Sequence, residues 1–448
     1  MNTPVVDFVR RYGESGISRL HMPGHKGQPF LGFESWDITE IQGADALFEA
    51  EGILRESEEN ATGLFGSRRT FYSTEGSSHC IRAMLYLALT NRPAGAAPLV
   101  VAARNVHRAF VSAAALLDLE VAWLWPEESR SLCGCPISPR QLEETLKCLP
   151  APPAAVYLTS PDYLGGMGEI AALSQVCHRF GTLLAVDNAH GAYLRFLSPS
   201  LHPLDLGADL CCDSAHKTLP VLTGGAYLHI AKTAPASLAE NGKTALALFG
   251  STSPSYLTLC SLDQCNRYLA EGYPARLQET AAQLEALRAQ LRQAGWQVEE
   301  SDPLRVSLRA VEGLSGQALA QRLRQGGVEC EYADQDFLVL MATPENTRED
   351  FERVLAALGE TRLPPSPLPC LPLARGRQAC SIRQALFSPH ELVPAEGSLG
   401  RVCGIPTVGC PPAVPIAVAG EEIGPQALEL FRRYGVHRVD VLSQAPSH

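Results

Sequence analysis

The hydrophobic residues of this chain fall into short continuous runs separated by stretches of helical length. "PLVVAARN" is followed by the helix-like "VHRAFVSAAALLDL" and then by "EVAWLWP". "PAAVYLTSP" and "TLLAVDNAHG" flank "EIAALSQVCHRFG", which reads as a helix closed by Gly181. "ADLCCDSAHK" and "GGAYLHI" complete the series. Runs without polar alternation predict strands buried on both faces, and their alternation with helices predicts a mostly parallel sheet covered on two sides. "SSHCIRAMLYLALTNRP" predicts an apolar helix ended by Pro93. Ahead of this series, an extended, Gly-rich opening carries "LHMPGHKG" and "DITEIQGADALFEAEG", which read as loops. A helix is predicted over 52–65, with its "ESEEN" as a solvated face.

The pattern changes after Tyr273. "ARLQETAAQLEALRAQLRQAGW" predicts a long amphipathic helix stopped at Gly295. "LRVSLRAV", a helix over 316–325, "VECEYADQDFLVLMAT" and a helix over 346–358 predict a small α+β layer. "LPPSPLPCLPLA" reads as a proline-rich connector, and the last segment contains "VPIAVAGEEIG" and "VHRVDVL". The divisions expected are an N-terminal arm with loops over 1–50, a large domain over 51–273, a linking helix and small domain over 274–362, and a C-terminal segment over 363–448.

Composition narrows the function. With 46% hydrophobic and 19% charged residues, the chain of 448 residues is an ordinary globular one. Its net charge of -11, without a basic stripe, excludes general nucleic-acid binding. No apolar run reaches membrane-spanning length, and "MNTPVVDFVRRYGESG" lacks a signal peptide's apolar stretch, so a cytoplasmic protein is expected. The fourteen cysteines are scattered, as reduced thiols would be. Cys133 and Cys135 in "LCGCP" have no matching Cys/His pair, so no metal is expected. Pro23 and Gly24 interrupt any helix joining His21 and His25, which therefore read as part of a loop lining a site. Trp123 and Trp125 alternate as strand packing does.

Ligands of an open parallel sheet sit at the carboxyl ends of its strands. Asp187 ends "LLAVD"; "LTSPDYLGG", Asn105 and His107 stand at two other strand ends, and Ser214, His216 and Lys217 follow "ADLCCD". A partly desolvated lysine amine has its pKa lowered and forms Schiff bases with aldehydes. A pyridine-type cofactor needs a carboxylate at its ring nitrogen, which Asp187 offers. Gly76, Ser77 and Ser78 open an apolar helix, where free N–H groups and the helix dipole favour a phosphate; Ser77 and Ser78 read equally as helix caps.

"SAHKTLPVLTGGAYLHI", "VDNAHGAYLRF", "ARNVHRAF" and "LHMPGHKG" resemble the signatures of the ornithine/lysine/arginine decarboxylases, from about Leu20 to Asp263. The resemblance implies a fold-type I α/β enzyme dependent on pyridoxal 5'-phosphate, with a mostly parallel seven-stranded sheet and a smaller α+β C-terminal domain. It implies Lys217 as the Schiff-base lysine, Asp187 at the ring nitrogen, His107 on the ring face and His190 near the ring edge. Ser77, Ser78 and Ser214 would hold the phosphate with His216 beside them, and Thr252 or Ser253 would reach the neighbouring subunit's phosphate. A homodimer with active sites at the subunit interface follows, with further assembly left open. The implied reaction is decarboxylation of arginine, lysine or ornithine to an amine of the kind used in polyamine biosynthesis. Transamination or elimination on the same scaffold and a catalytically silent paralogue are the alternatives. The chain departs from the family pattern at Asn188, at "PDYLGG", at Cys403 and Gly404 in "RVCG", and at Cys410 in "GCPPA", and Arg401 has either a structural or a substrate-facing reading.

Overall fold

A computed structural model of the chain describes all residues except 130, 367–372, 374, 407–411 and 444–448. Cys410 and most of the proline-rich connector lie outside the described residues. Seven strands form the main sheet: β1 (Arg69–Ser73), β2 (Leu99–Ala103), β3 (Glu120–Leu124), β4 (Ala155–Thr159), β5 (Leu183–Asp187), β6 (Leu210–Asp213) and β7 (Ala226–Ile230). Their order is β1-β7-β6-β5-β4-β2-β3. β5 runs parallel to β6 and β2 parallel to β3, while β7 is antiparallel to both β6 and β1. The predicted mostly parallel α/β sheet is therefore present. The central apolar runs became strands covered on both faces; Leu184, Val186, Leu210, Cys211 and Cys212 are fully buried.

The chain divides into two compact units, one of 1–95, 154–156 and 170–277 and the other of 96–153, 157–169 and 278–448. In the first unit the opening contains a helix, Pro4–Glu14, where the sequence reading had only an extended arm. Pro4 fits its first turn, and Val5, Val6 and Val9 form its buried face. What holds its start is remote in sequence: Asp263 Oδ2 accepts the N–H groups of Val5 and Val6, each at 3.0 Å. The "HMPGHKG" segment is irregular, as predicted; His25 pairs with Asp37 at 3.1 Å and His21 with the Tyr12 hydroxyl.

The helix Ile53–Phe65 corrects a second reading, because "ESEEN" is not wholly solvated. Ser57 and Glu58 are fully buried. Glu58 accepts from Lys243 Nζ at 2.5 Å and from the Tyr72 N–H at 2.9 Å, and Ser57 donates to Asp263 Oδ1 at 2.5 Å. Burial pushes the Asp263 carboxyl up to about 6, against the hydrogen bonds from Ser57, Val6 and Val5. A native pKa above the unfolded value of about 3.9 means that the folded chain keeps this proton longer. The stabilisation is complete below about pH 4 and is lost as pH rises through about 6. Asp263→Asn keeps an acceptor for the two valine N–H groups and is expected to remove this dependence. Its thermal midpoint relative to the parent should rise by a few degrees between about pH 4 and 6; a constant difference would refute the assignment.

The second unit carries a three-stranded sheet of β8 (Arg305–Arg309), β9 (Tyr332–Ala333) and β10 (Phe337–Met341), ordered β8-β10-β9, as the α+β reading predicted. β11 (His390–Pro394) and β12 (Arg438–Leu442) pair antiparallel as a separate two-stranded sheet. Cys403, Ile416, Phe431 and Val441 pack into one core cluster of this unit. Trp123 and Trp125 do more than pack against apolar neighbours. The buried Arg104 guanidinium lies 5.4 Å from each indole and donates to the carbonyls of Pro415 and Ile416 and to Glu421. Arg104 thus clamps the irregular, buried "VPIAVAG" stretch, a role with no signal in the sequence pattern.

Candidate active site

β5 delivers Asp187 at its last position and β6 delivers Asp213, with Ser214 immediately beyond. The two strand ends are in register, Asp187 opposite Cys212. After Asp187 the chain turns sharply: the Ala189 N–H donates to Asp187 Oδ1 at 3.1 Å, and the Gly191 N–H donates to the Asn188 carbonyl at 2.8 Å. Glycine is required at 191 because a Cβ there would stand 2.0 Å from Asn188 Oδ1 and 2.6 Å from a Leu194 methyl carbon. The turn leaves His190 buried, with Nε2 2.9 Å from Lys217 Nζ.

Lys217 stands on the short helix Ala215–Thr218 and is half-buried, not fully enclosed. Once protonated, its ammonium can only donate, and His190 Nε2 is then the acceptor. His216 next to it bonds the Gly225 carbonyl through Nδ1 at 3.0 Å, so that nitrogen carries the ring proton. Burial lowers the His216 pKa, and the Lys217 charge adds to the effect, leaving a neutral imidazole at neutral pH.

The segment expected to hold a phosphate is a helix start. The 15-residue helix Gly76–Thr90 starts at Gly76, which has φ +72° and donates its N–H to the Gly224 carbonyl at 2.7 Å. Gly224 has φ +96°, and a Cβ on it would lie 2.6 Å from the Thr74 carbonyl oxygen, so "TGG" closes tightly on the helix start. Ser214 donates to the Ser77 hydroxyl at 2.8 Å, and Ser77 and Ser78 are half-buried in the first turn. N–H groups of a first helical turn have no carbonyl of their own helix within reach. An anion seated here would meet them, the helix dipole and three hydroxyls.

Gly76, Ser77, Ser78, Asp187, His190, Ser214, His216 and Lys217 therefore stand on connected segments of one unit. His107 belongs to the other unit, where it caps the helix Arg108–Leu116 by accepting the Ala109 N–H at 3.1 Å. Thr252 and Ser253 are exposed on the bend before the helix Tyr256–Ala270. Arg401 bonds Glu391 and the Leu442 carbonyl. Cys403 is fully buried, with Sγ 3.0 Å from the Ile405 carbonyl, and a Cβ at Gly404 would lie 2.7 Å from the His390 ring. In "PDYLGG", Asp162 Oδ1 accepts the N–H groups of Leu164 and Gly166 at 2.9 and 2.8 Å, and burial pushes its carboxyl up to about 6. Twelve cysteines are free thiols, and no disulfide occurs among the described residues. Sequence reading missed Asp213; a carboxylate ending the otherwise apolar "LCCD" was the available signal.

The donor set fits pyridoxal phosphate. An amine for the aldehyde, a buried strand-end carboxylate for the ring nitrogen, and a hydroxyl-lined helix start for the phosphate are present on connected segments.

Residues 3–311 match the family described as Orn/Lys/Arg decarboxylase, major domain. The chain is 26% identical to an arginine decarboxylase of Bacillus subtilis (strain 168), covering 94% of this chain and 91% of that protein. It is 27% identical to an arginine decarboxylase of Halalkalibacterium halodurans, covering 96% and 93%. A lysine decarboxylase of Francisella novicida superposes with a TM-score of 0.82 at 15% identity, over 98% of this chain and 81% of that one.

Proposed function

Because the chain belongs to the Orn/Lys/Arg decarboxylase family, fold-type I enzymes that depend on pyridoxal 5'-phosphate, we propose that it removes carbon dioxide from a basic amino acid, with Lys217 as the cofactor lysine. The observation that carries this reading is the Lys217 amine, 2.9 Å from His190 Nε2 on the turn that follows Asp187. Bound pyridoxal phosphate supplies an electron sink for the bonding pair released as the carboxylate leaves.

The protein's residues do the rest. Lys217 would be the residue that holds the cofactor through its amine, and the same amine would serve as the proton donor toward the substrate's Cα. His190 orients the Lys217 amine. Asp187 keeps the ring nitrogen protonated, its carboxylate aimed by the Ala189 N–H. Ser77, Ser78 and Ser214 would hold the phosphate end and so restrict how the bound group can turn. The family resemblance would give His107 a part in holding the cofactor, and Thr252 or Ser253 would complete the phosphate site of a second copy in a homodimer. Arginine, lysine and ornithine are the substrates to try first, and a cytoplasmic setting suits their supply.

The test is mass spectrometry of products after the cofactor-loaded protein meets each amino acid. A product lighter by carbon dioxide is expected from one of the three. A keto acid formed with amine transfer would replace this reading with transamination, and no turnover of any amino acid would point to a silent paralogue.

A further inference from the structure

Behind Asp187 lies a buried polar cluster that the reaction outlined above does not use. Asp213 is fully buried. Its Oδ2 accepts from His202 Nε2 at 3.0 Å and from His229 Nε2 at 3.1 Å, and its Oδ1 accepts from Asn188 Nδ2 at 2.7 Å. His202 Nδ1 accepts the Leu204 N–H at 3.4 Å, so the His202 ring proton sits on Nε2 and points at Asp213. His229 Nδ1 meets Thr70 Oγ1 at 2.8 Å, which in turn meets Ser67 Oγ at 2.8 Å. Burial by itself would raise the Asp213 carboxyl, but the two imidazoles outweigh it and hold the group well below the usual carboxylate range. His202, Cys211 and Asp213 place donor atoms within 4.8 Å of one another, yet both imidazole Nε2 atoms of the cluster are turned to Asp213 as hydrogen-bond donors, so the carboxylate is compensated without an ion.

The position of this carboxylate matters more than its bonds taken singly. Asp213 directly precedes Ser214, and Asn188 directly follows Asp187. One side-chain bond therefore links the strand end leading to Lys217 with the strand end that carries Asp187 and then His190. A buried charge is weak grounds for stability, because desolvation offsets much of what its partners return. A fully satisfied buried network does, however, impose a single geometry on the groups it joins.

We propose that Asp213 is a positioning residue, which through Asn188 sets the orientation of Asp187 and His190 toward the cofactor. The proposal rests on the assignment of Asp187 and Lys217 to pyridoxal phosphate made above. It has a specific consequence: the two partners should be exchangeable. Asn188→Asp alone sets two carboxylates against each other at a contact distance of 2.7 Å. Asp213→Asn alone replaces the charge-assisted bond from Asn188 with a bond between two neutral amides, one of which must turn over to offer its oxygen. In the double variant an aspartate at 188 can accept from the amide nitrogen of an asparagine at 213, whose oxygen still accepts from both imidazoles.

The experiment titrates pyridoxal phosphate into the cofactor-free forms of the parent chain, both single variants and the double variant. The visible absorbance of the lysine-bound cofactor is followed against concentration and against pH, beside the thermal midpoint of each cofactor-free form. Each single variant is expected to weaken cofactor binding by about tenfold or more, the scale of losing one charge-assisted buried hydrogen bond, and to shift the pH midpoint of the absorbance. The double variant should return both to near the parent's values. Parental affinity and spectrum in both single variants would overturn the proposal, as would a folded double variant no better than the singles. If Asn188→Asp does not fold, Asp213→Asn against the double variant decides in the same way. A parent chain that forms no lysine-bound cofactor would instead remove the underlying cofactor assignment, which separates the two failures.

Discussion

Lys217→Ala is expected to abolish the visible absorbance of the lysine-bound cofactor and to lower decarboxylation by at least about 10²–10⁴-fold, the range contributed by a positioned proton-transfer group. The amine stands 2.9 Å from His190 Nε2 on a four-residue helix, and the backbone N–H of Lys217 is tied to the Ser214 carbonyl at 3.0 Å. Its removal should therefore take away chemistry and leave the phosphate cradle in place. Lys217→Arg sharpens the test, because a guanidinium keeps the positive charge but does not exchange as an imine. Absorbance and product formation are measured on the same preparations. An unchanged spectrum in either variant would move the covalent site to another lysine.

The second large effect is expected at Asp187. Asp187→Asn keeps an oxygen for the Ala189 N–H, which now reaches Oδ1 at 3.1 Å, so the side chain should stay in place while its charge is lost. In the proposed role, losing the carboxylate would leave the ring nitrogen without the partner that holds it protonated, which would make the ring a poorer electron acceptor. A fall of about 10²–10³-fold in kcat is expected, on the scale of removing one preorganised electrostatic partner of a developing charge. Phosphate binding through Ser77, Ser78 and Ser214 should persist, so the cofactor remains bound at raised concentration. The check is kcat at saturating cofactor, with the cofactor dissociation constant measured separately. Activity within about threefold of the parent would deny Asp187 this role.

Both residues were legible in the sequence for a definite reason. A charged residue closing a run such as "LLAVD" is conspicuous because its strand tolerates no other polar group, and lysine in "SAHKT" stands out against small and apolar neighbours. The steric demands on glycines were not legible: Gly76 and Gly224 sit at positive φ and Gly191 leaves room for Asn188 because of partners that only the folded chain brings near. Glu58 was misread because helical charge runs usually face solvent, and nothing near it in sequence announces Lys243 or the Tyr72 N–H as partners. The helix Pro4–Glu14 escaped for the same reason, its start being held by Asp263.

The sequence by itself determined the strand-and-helix alternation and the mostly parallel sheet, and it singled out Lys217, Asp187 and the serine-lined helix start as the candidates. These are written in local pattern, in which each run, stop and cap is decided by residues within a few positions of one another. Only the tertiary structure decided that Asn188 faces Asp213, that two histidines share that carboxylate, and that Arg104 clamps Pro415 and Ile416 between its own strand end and Glu421. Such contacts join residues tens to hundreds of positions apart. Burial leaves each polar group dependent on the single partner that the packed chain brings to it, and a one-dimensional pattern does not specify which partner that is.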